Sequence, residues 1–139
     1  MKDTSDLLNN LKSSKDIDLF LNGNKQEFIT YNVSEYLSKL IDEYSLSKSE
    51  IIKKSGLDRT YGYQILNGKR TPSRDKLIQL AFGMDLSFDD VQKLLIYTGY
   101  APLYAKNRRD SIIIYAIEKR LPVIDLNLML DSKNEEILK

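Results

Sequence analysis

Apolar residues recur at helical spacing along most of this chain, and polar capping residues separate one apolar stripe from the next. The strongest stripe places Tyr36, Leu37, Leu40, Ile41 and Tyr44 at i, i+1, i+4, i+5 and i+8, which covers one face of an α-helix. Residues that commonly begin helices precede this stripe and the later ones, at Ser34, Ser47, Asp58, Ser73 and Ser87. The sequence contains no pair of alternating segments joined by a hairpin turn. The pattern therefore predicts an all-α fold.

One segment is ambiguous by composition, because Ile112–Tyr115 is β-branched and aromatic enough to suggest a strand. Aligning residues 73–96 with residues 108–131, without gaps, gives identity at seven of 24 positions. An internal repeat would make the ambiguous segment helical and would place Pro122 at the first position of the following helix. The alternative is a chance similarity between two amphipathic helix pairs.

The composition excludes several kinds of chemistry, because the 139 residues include no His, Cys or Trp. Disulfides, thiolate zinc sites, cysteine nucleophiles and imidazole bases are therefore impossible, and no carboxylate motif indicates an enzyme. We expect no catalytic residues, no metal and no cofactor. The longest apolar run, Ile112–Ile117, has six residues, and no signal peptide is evident. These features predict a cytoplasmic protein without a membrane span.

Charge is segregated along the chain, although the formal net charge is only +1. Residues 46–82 carry eight basic and three acidic side chains, a net charge of +5, whereas residues 1–45 carry −3 and residues 83–139 carry −1. The basic stretch is either a polyanion-binding surface or an ordinary solvated face. The pairs Arg74-Asp75 and Arg109-Asp110 are interpreted as local ion pairs at helix starts rather than as phosphate clamps.

Residues 46–73 have the features of two short helices joined by a tight turn, the sequence form of a helix-turn-helix. Gly56 suits a left-handed turn, Asp58 caps the second helix, and Gly68 ends it. At about 100° per residue, one face of helix 59–67 carries polar side chains and the other carries apolar or small ones. The polar face consists of Arg59, Thr60, Tyr63, Gln64 and Asn67. Arg can pair with guanine and Gln with adenine, and the residues nearest the helix N-terminus usually face the bases.

The segment from about Tyr36 to Leu95 resembles the XRE family, the lambda-repressor-like helix-turn-helix domains of bacteria and phages. Leu46–Ile52 stands where that family has "LTQEELA", Ser55–Tyr61 where it has "tGvSrsy", and Gly68–Ser73 where it has "GkrnPs". Two departures are Lys48, where the family often has Gln, and Gly62, where it usually has Val or Ile. A glycine inside a helix costs about 0.5–1 kcal/mol relative to alanine. We therefore expect either a looser helix or a gap filled by Tyr61 and Tyr63.

The resemblance implies particular contacts to double-stranded DNA. It implies base contacts from Arg59, Thr60, Tyr63 and Gln64. It implies phosphate contacts from Lys48, Asn67, Lys69 and Arg70. The expected function is sequence-specific DNA binding by a bacterial or phage transcriptional regulator, in which helix 59–67 reads the major groove.

We expect a five-helix DNA-binding domain at 31–103, preceded by a helical arm at 1–30 and followed by a helix-pair extension at 104–139. The apolar residues of the extension either form a homodimer or pack within the monomer. The alternative function is a protein-interaction module, such as an antitoxin, anti-phage or adaptor component. Its protein partner would then bind 1–30 or 108–131.

Overall fold

The computed structural model describes residues 4–23 and 31–139, and within these ranges every regular element is an α-helix. The prediction of an all-α fold is therefore confirmed. The chain divides into two compact units, residues 1–30 and residues 31–139. In the first unit, α1 (Thr4–Ser13) contacts α2 (Ile17–Gly23). The rest of the predicted arm, residues 1–3 and 24–30, lies outside the described residues.

The second unit contains the remaining helices of the described chain. They are α3 (Val33–Glu43), α4 (Lys48–Ser55), α5 (Arg59–Leu66), α6 (Arg74–Gly83), α7 (Phe88–Tyr97), α8 (Arg108–Glu118) and α9 (Val123–Ser132). Ile112–Tyr115 lies inside α8, so the helical interpretation of that segment is confirmed. The division into a DNA-binding domain at 31–103 and an extension at 104–139 remains a prediction. Both ranges lie in the same compact unit.

Local side-chain caps determine where most of these helices begin. Four predicted caps accept a hydrogen bond from the backbone N–H three residues later, namely Ser47, Asp58, Ser73 and Ser87. α3 begins slightly earlier than predicted, because Asn32 rather than Ser34 caps it. The placement of Pro122 at the first helical position is wrong. This proline is the residue before α9, and its ψ of 163° keeps it extended.

One hydrophobic core extends through the second unit, and every helix from α3 to α9 contributes to it. Its completely buried side chains include Leu37, Ile51, Ile65, Leu77, Leu94, Ile113 and Leu126. α8 and α9 therefore pack within the monomer through part of their apolar surface. Other apolar side chains of these helices remain exposed, namely Tyr115, Ile124 and Leu128.

α6 lies directly against the backbone of α4 at Gly83, the last residue of α6. A Cβ atom at this position would overlap the carbonyl oxygen of Ile51 and lie 3.2 Å from the backbone nitrogen of Ser55. Only a glycine lets the end of α6 pack this tightly against the backbone of α4. This contact fixes the position of α4 on α6, and α4 in turn contacts α5.

Two arginines 35 residues apart make matching bonds, and each binds the aspartate of the other's segment. Arg74 donates to both carboxylate oxygens of Asp110, at 3.1 and 3.0 Å, and Arg109 donates to both oxygens of Asp75, at 3.0 and 2.8 Å. The interpretation of Arg74-Asp75 and Arg109-Asp110 as local pairs is therefore wrong. Such a reciprocal exchange is the contact pattern that a two-fold axis produces.

The correspondence at an offset of 35 residues continues into the loops that follow α7 and α9. Arg74 Nε and Nη2 donate to the carbonyls of residues 101 and 102, and Arg109 Nε and Nη2 donate to those of residues 136 and 137. The side chains of Gln92 and Asn127 likewise accept from the backbone N–H of Leu103 and Leu138, respectively. The matching thus includes backbone and side-chain hydrogen bonds as well as residue identities.

No helix within the described ranges is long and apolar enough to cross a membrane.

Candidate nucleic-acid interface

Residues 46–73, the predicted helix-turn-helix, form two short helices that contact each other, α4 and α5. Between them Gly56 adopts a left-handed conformation, with φ of 73°, which a residue with a side chain rarely takes. Asp58 follows with φ of −54° and ψ of 135°, and its carboxylate accepts from the N–H of Tyr61 at 3.1 Å. The local chemistry predicted for this turn is thus present at the predicted residues.

Gly62 explains how closely α5 approaches α4. A Cβ atom there would lie 3.0 Å from both Cγ1 and Cγ2 of Ile52, so the side chain of Ile52 occupies the space that a larger residue would fill. Ile52, rather than Tyr61 and Tyr63, therefore fills the space beside Gly62. The alternative expectation, a looser helix, remains a prediction. Ile65 and Leu66 complete the buried face of α5, at 0% and 3% exposure.

The end of α5 is a glycine-terminated cap that turns the chain toward α3. Gly68 has φ of 81°, its N–H donates to Ile65 O, and the N–H of Lys69 donates to Gln64 O. This pair of bonds is the Schellman motif. A Cβ atom at Gly68 would lie 2.9 Å from Oγ of Ser34, so the loop lies directly against the start of α3. Lys69 and Arg70 are thereby held at a defined place beside α5.

Most of the residues predicted to contact DNA are exposed to solvent. Six of them are exposed, namely Lys48, Arg59, Thr60, Asn67, Lys69 and Arg70. Tyr63 and Gln64 are partly buried. α5 thus has one buried face, and the side chains of its predicted polar face are exposed or partly buried.

Two contacts link side chains of this polar face and of the loop that follows α5. The guanidinium of Arg59 lies 5.9 Å from the ring centre of Tyr63, one helical turn away, which is within range of a cation–π interaction. Arg70 Nε donates to Gln64 Oε1 at 3.0 Å. This bond joins a side chain expected to contact phosphate to one expected to contact a base.

The ring of Tyr61, next to the polar face of α5, lies close to two cationic side chains. Arg70 lies 5.9 Å and Lys76 Nζ lies 5.3 Å from its ring centre. In the sequence, Lys76 contributes to the net charge of residues 46–82 but was not predicted to belong to this surface. The available signal was its position in the first turn of α6, immediately after the loop that carries Lys69 and Arg70. With these cations, the surface joins α5, its terminal loop and the start of α6.

The described part of the chain contains no group of three or more His, Cys, Asp or Glu residues that could hold a metal ion. Comparison of the chain with protein-family models, curated proteins and solved structures finds no significant match.

Proposed function

We propose that this protein binds double-stranded DNA in a sequence-specific manner through α5, as a bacterial or phage transcriptional regulator with an XRE-like helix-turn-helix. The observation that carries the proposal is the division of α5 into two faces. Gly62, Ile65 and Leu66 are buried against the scaffold, while Arg59 and Thr60 are exposed at the N-terminal end of the helix. In helix-turn-helix proteins that end of the recognition helix faces the base edges.

The proposal assigns two kinds of contact to the surface. Arg59, Thr60, Tyr63 and Gln64 contact bases, and Lys48, Asn67, Lys69 and Arg70 contact phosphates. Phosphate contacts set position and affinity, whereas base contacts set sequence preference. Arg70 differs from the other proposed phosphate contacts, because its Nε donates to Gln64 Oε1, a proposed base contact. A phosphate bound at its Nη atoms would hold Gln64 in one orientation toward the bases.

The first experiment is selection of the purified full chain on a random double-stranded DNA pool, followed by affinity measurements at two salt concentrations. We expect an enriched motif whose affinity falls steeply as salt rises, because phosphate neutralisation releases counterions. A palindromic motif with half-sites about one helical turn apart would indicate a two-fold dimer. Absence of any enriched motif would contradict the proposal.

Single substitutions then separate the two kinds of contact. Arg59→Ala should cost about 1–3 kcal/mol of binding free energy and relax the preference at one base position. Lys69→Ala should weaken binding to all sequences alike and reduce the salt dependence by about one unit. The control is Lys93→Ala, which removes an exposed positive charge from α7 and should leave both properties unchanged.

Exposed apolar side chains favour a second candidate function, the protein-interaction module. Tyr115, Ile124 and Leu128 lie within residues 108–131 and are 51%, 69% and 66% exposed. An antitoxin, anti-phage or adaptor component would tolerate Arg59→Ala and Lys69→Ala but lose its protein partner after substitutions in 1–30 or 108–131. The same exposed residues are candidates for a homodimer contact, which light scattering of the purified protein tests directly.

A further inference from the structure

The side chain of Lys76, in the first turn of α6, lies against the ring of Tyr61 on α5. Its Nζ is 5.3 Å from the ring centre, and the guanidinium of Arg70 is 5.9 Å from the same centre. Both distances are within the range of a cation–π interaction. Lys76 and Tyr61 are both partly buried. The ring thus brings together two positive charges from different segments, the loop after α5 and the start of α6.

The positive charge of Lys76 has no carboxylate partner within the described part of the chain. Its neighbour in the sequence is Asp75, but both oxygens of that side chain accept hydrogen bonds from Arg109, at 3.0 and 2.8 Å. Arg70 likewise makes no ion pair with a described residue. The two charges on the ring of Tyr61 are therefore both available to an external anion.

The place of Lys76 in its helix is unfavourable for a cation. Lys76 is the third residue after the cap Ser73, and its N–H donates to that cap at 3.3 Å. A carboxylate at this position stabilises a helix, because it interacts with the positive end of the helix dipole. The corresponding residue is acidic in five of the seven helices from α3 to α9, namely Glu35, Glu50, Asp90, Asp110 and Asp125.

The two exceptions are Tyr61 in α5 and Lys76 in α6, and they are the two residues in contact. Helix stability therefore does not explain the lysine. A residue that departs from a local rule without a gain in stability indicates a functional role.

We propose that Lys76 is a further contact to a phosphate of the DNA backbone, and that Tyr61 is a positioning residue that holds Lys76 and Arg70 at one edge of the surface. The inference rests on the proposed function, in which Arg70 contacts a phosphate. Bound DNA supplies the negative charge that no described carboxylate supplies to these two side chains. The ring restricts both side chains in the free protein, so less side-chain entropy is lost when DNA binds.

The test compares Lys76→Gln with Lys119→Gln on the DNA motif that the wild-type full chain selects. Lys119 is the matched control, because its Nζ makes the same kind of contact at the end of α8, 5.7 Å from the ring centre of Tyr115. We expect Lys76→Gln to weaken binding roughly tenfold at about 0.1 M salt and to lower the salt dependence by about one unit, with the motif unchanged. Lys119→Gln should change neither property.

The possible results separate this contact from the proposed function. Absence of a selected motif for the wild-type protein would refute the proposed function and this contact with it. A wild-type motif that Lys76→Gln binds with unchanged affinity and salt dependence would refute only the contact. An altered motif in Lys76→Gln would assign the lysine to a base and overturn its assignment to a phosphate.

Thermal unfolding of the same variants separates binding from folding. Lys76→Gln removes a cation that opposes the helix dipole, and glutamine suits the third position after a serine cap. The Tm of this variant should therefore equal or exceed that of the wild type. A clearly lower Tm would show that Lys76 serves the fold and would contradict the proposal.

Two substitutions test the positioning role of Tyr61. Tyr61→Phe keeps the ring and should bind DNA as the wild type does. Tyr61→Leu removes the ring and should weaken binding about threefold, while the salt dependence stays unchanged because both cations remain. Equal affinities for Tyr61→Leu and Tyr61→Phe would refute this role.

Discussion

Replacing Gly83 by alanine tests how tightly α6 is packed on α4. The added Cβ would overlap the carbonyl oxygen of Ile51, and this oxygen belongs to the backbone of a helix and cannot rotate away. Overpacking costs typically 1–3 kcal/mol, and a backbone obstacle favours the upper end, about 3 kcal/mol. Alanine recovers at most about 1 kcal/mol of helix propensity. We therefore expect a net loss of about 2 kcal/mol of the free energy of unfolding.

The assay is urea and thermal unfolding followed by circular dichroism, where this loss corresponds to a decrease in Tm of roughly 6–10 °C. Gly62→Ala is the matched control, because the nearest atoms there, at 3.0 Å, belong to the side chain of Ile52. A side chain can shift by a few tenths of an ångström, so the helix-propensity gain should keep this variant within about 1 kcal/mol of the wild type. A Gly83→Ala protein as stable as the wild type would refute the reasoning.

Three further predictions concern single side chains. Arg74→Ala leaves the buried Asp110, at 6% exposure, without its cation and should lower the free energy of unfolding by about 3–5 kcal/mol. Urea denaturation measures this loss. The control is Arg108→Ala, at an exposed ion pair, which should cost under about 1 kcal/mol. Under the proposed function, Arg70→Ala should weaken DNA binding and also alter base preference at the position that Gln64 is proposed to contact, as a repeated DNA selection would show. Burial raises the pKa of Tyr36 to about 12, so this residue contributes stability that is complete below pH 10 and is lost as pH rises toward 12. Tyr36→Phe should therefore flatten the decrease in stability above pH 10, measured by urea denaturation at a series of pH values.

Helix boundaries were predictable where the determining chemistry is local. Ser47 and Asp58 cap α4 and α5 through bonds to residues three positions later, and such a bond depends only on nearby sequence. Pro122 was misplaced by one residue, because a proline φ suits both the cap and the first helical position. Only its ψ separates the two positions, and ψ depends on the turn that precedes the helix.

Contacts between distant segments were not predictable in the same way. The partner of Arg74 is 36 positions away, and an equally plausible aspartate is its immediate neighbour in the sequence. The need for glycine at position 83 likewise comes from the backbone of α4, and the narrow space at Gly62 comes from the side chain of Ile52 on α4. The polar face of α5 was predictable as a pattern, but its internal bond between Arg70 and Gln64 depends on the direction in which Gly68 turns the chain.

The reciprocal bonds of Arg74 and Arg109 have a consequence for dissecting the protein into fragments. A fragment that ended at residue 103 would leave Arg74 and Asp75 without their ionic partners, Asp110 and Arg109, because these lie on α8. It would also expose core side chains that Ile113 and Leu126 now cover. The shortest fragment that retains the native packing around α5 should therefore extend to Leu138, whose backbone N–H makes the last of these matching hydrogen bonds.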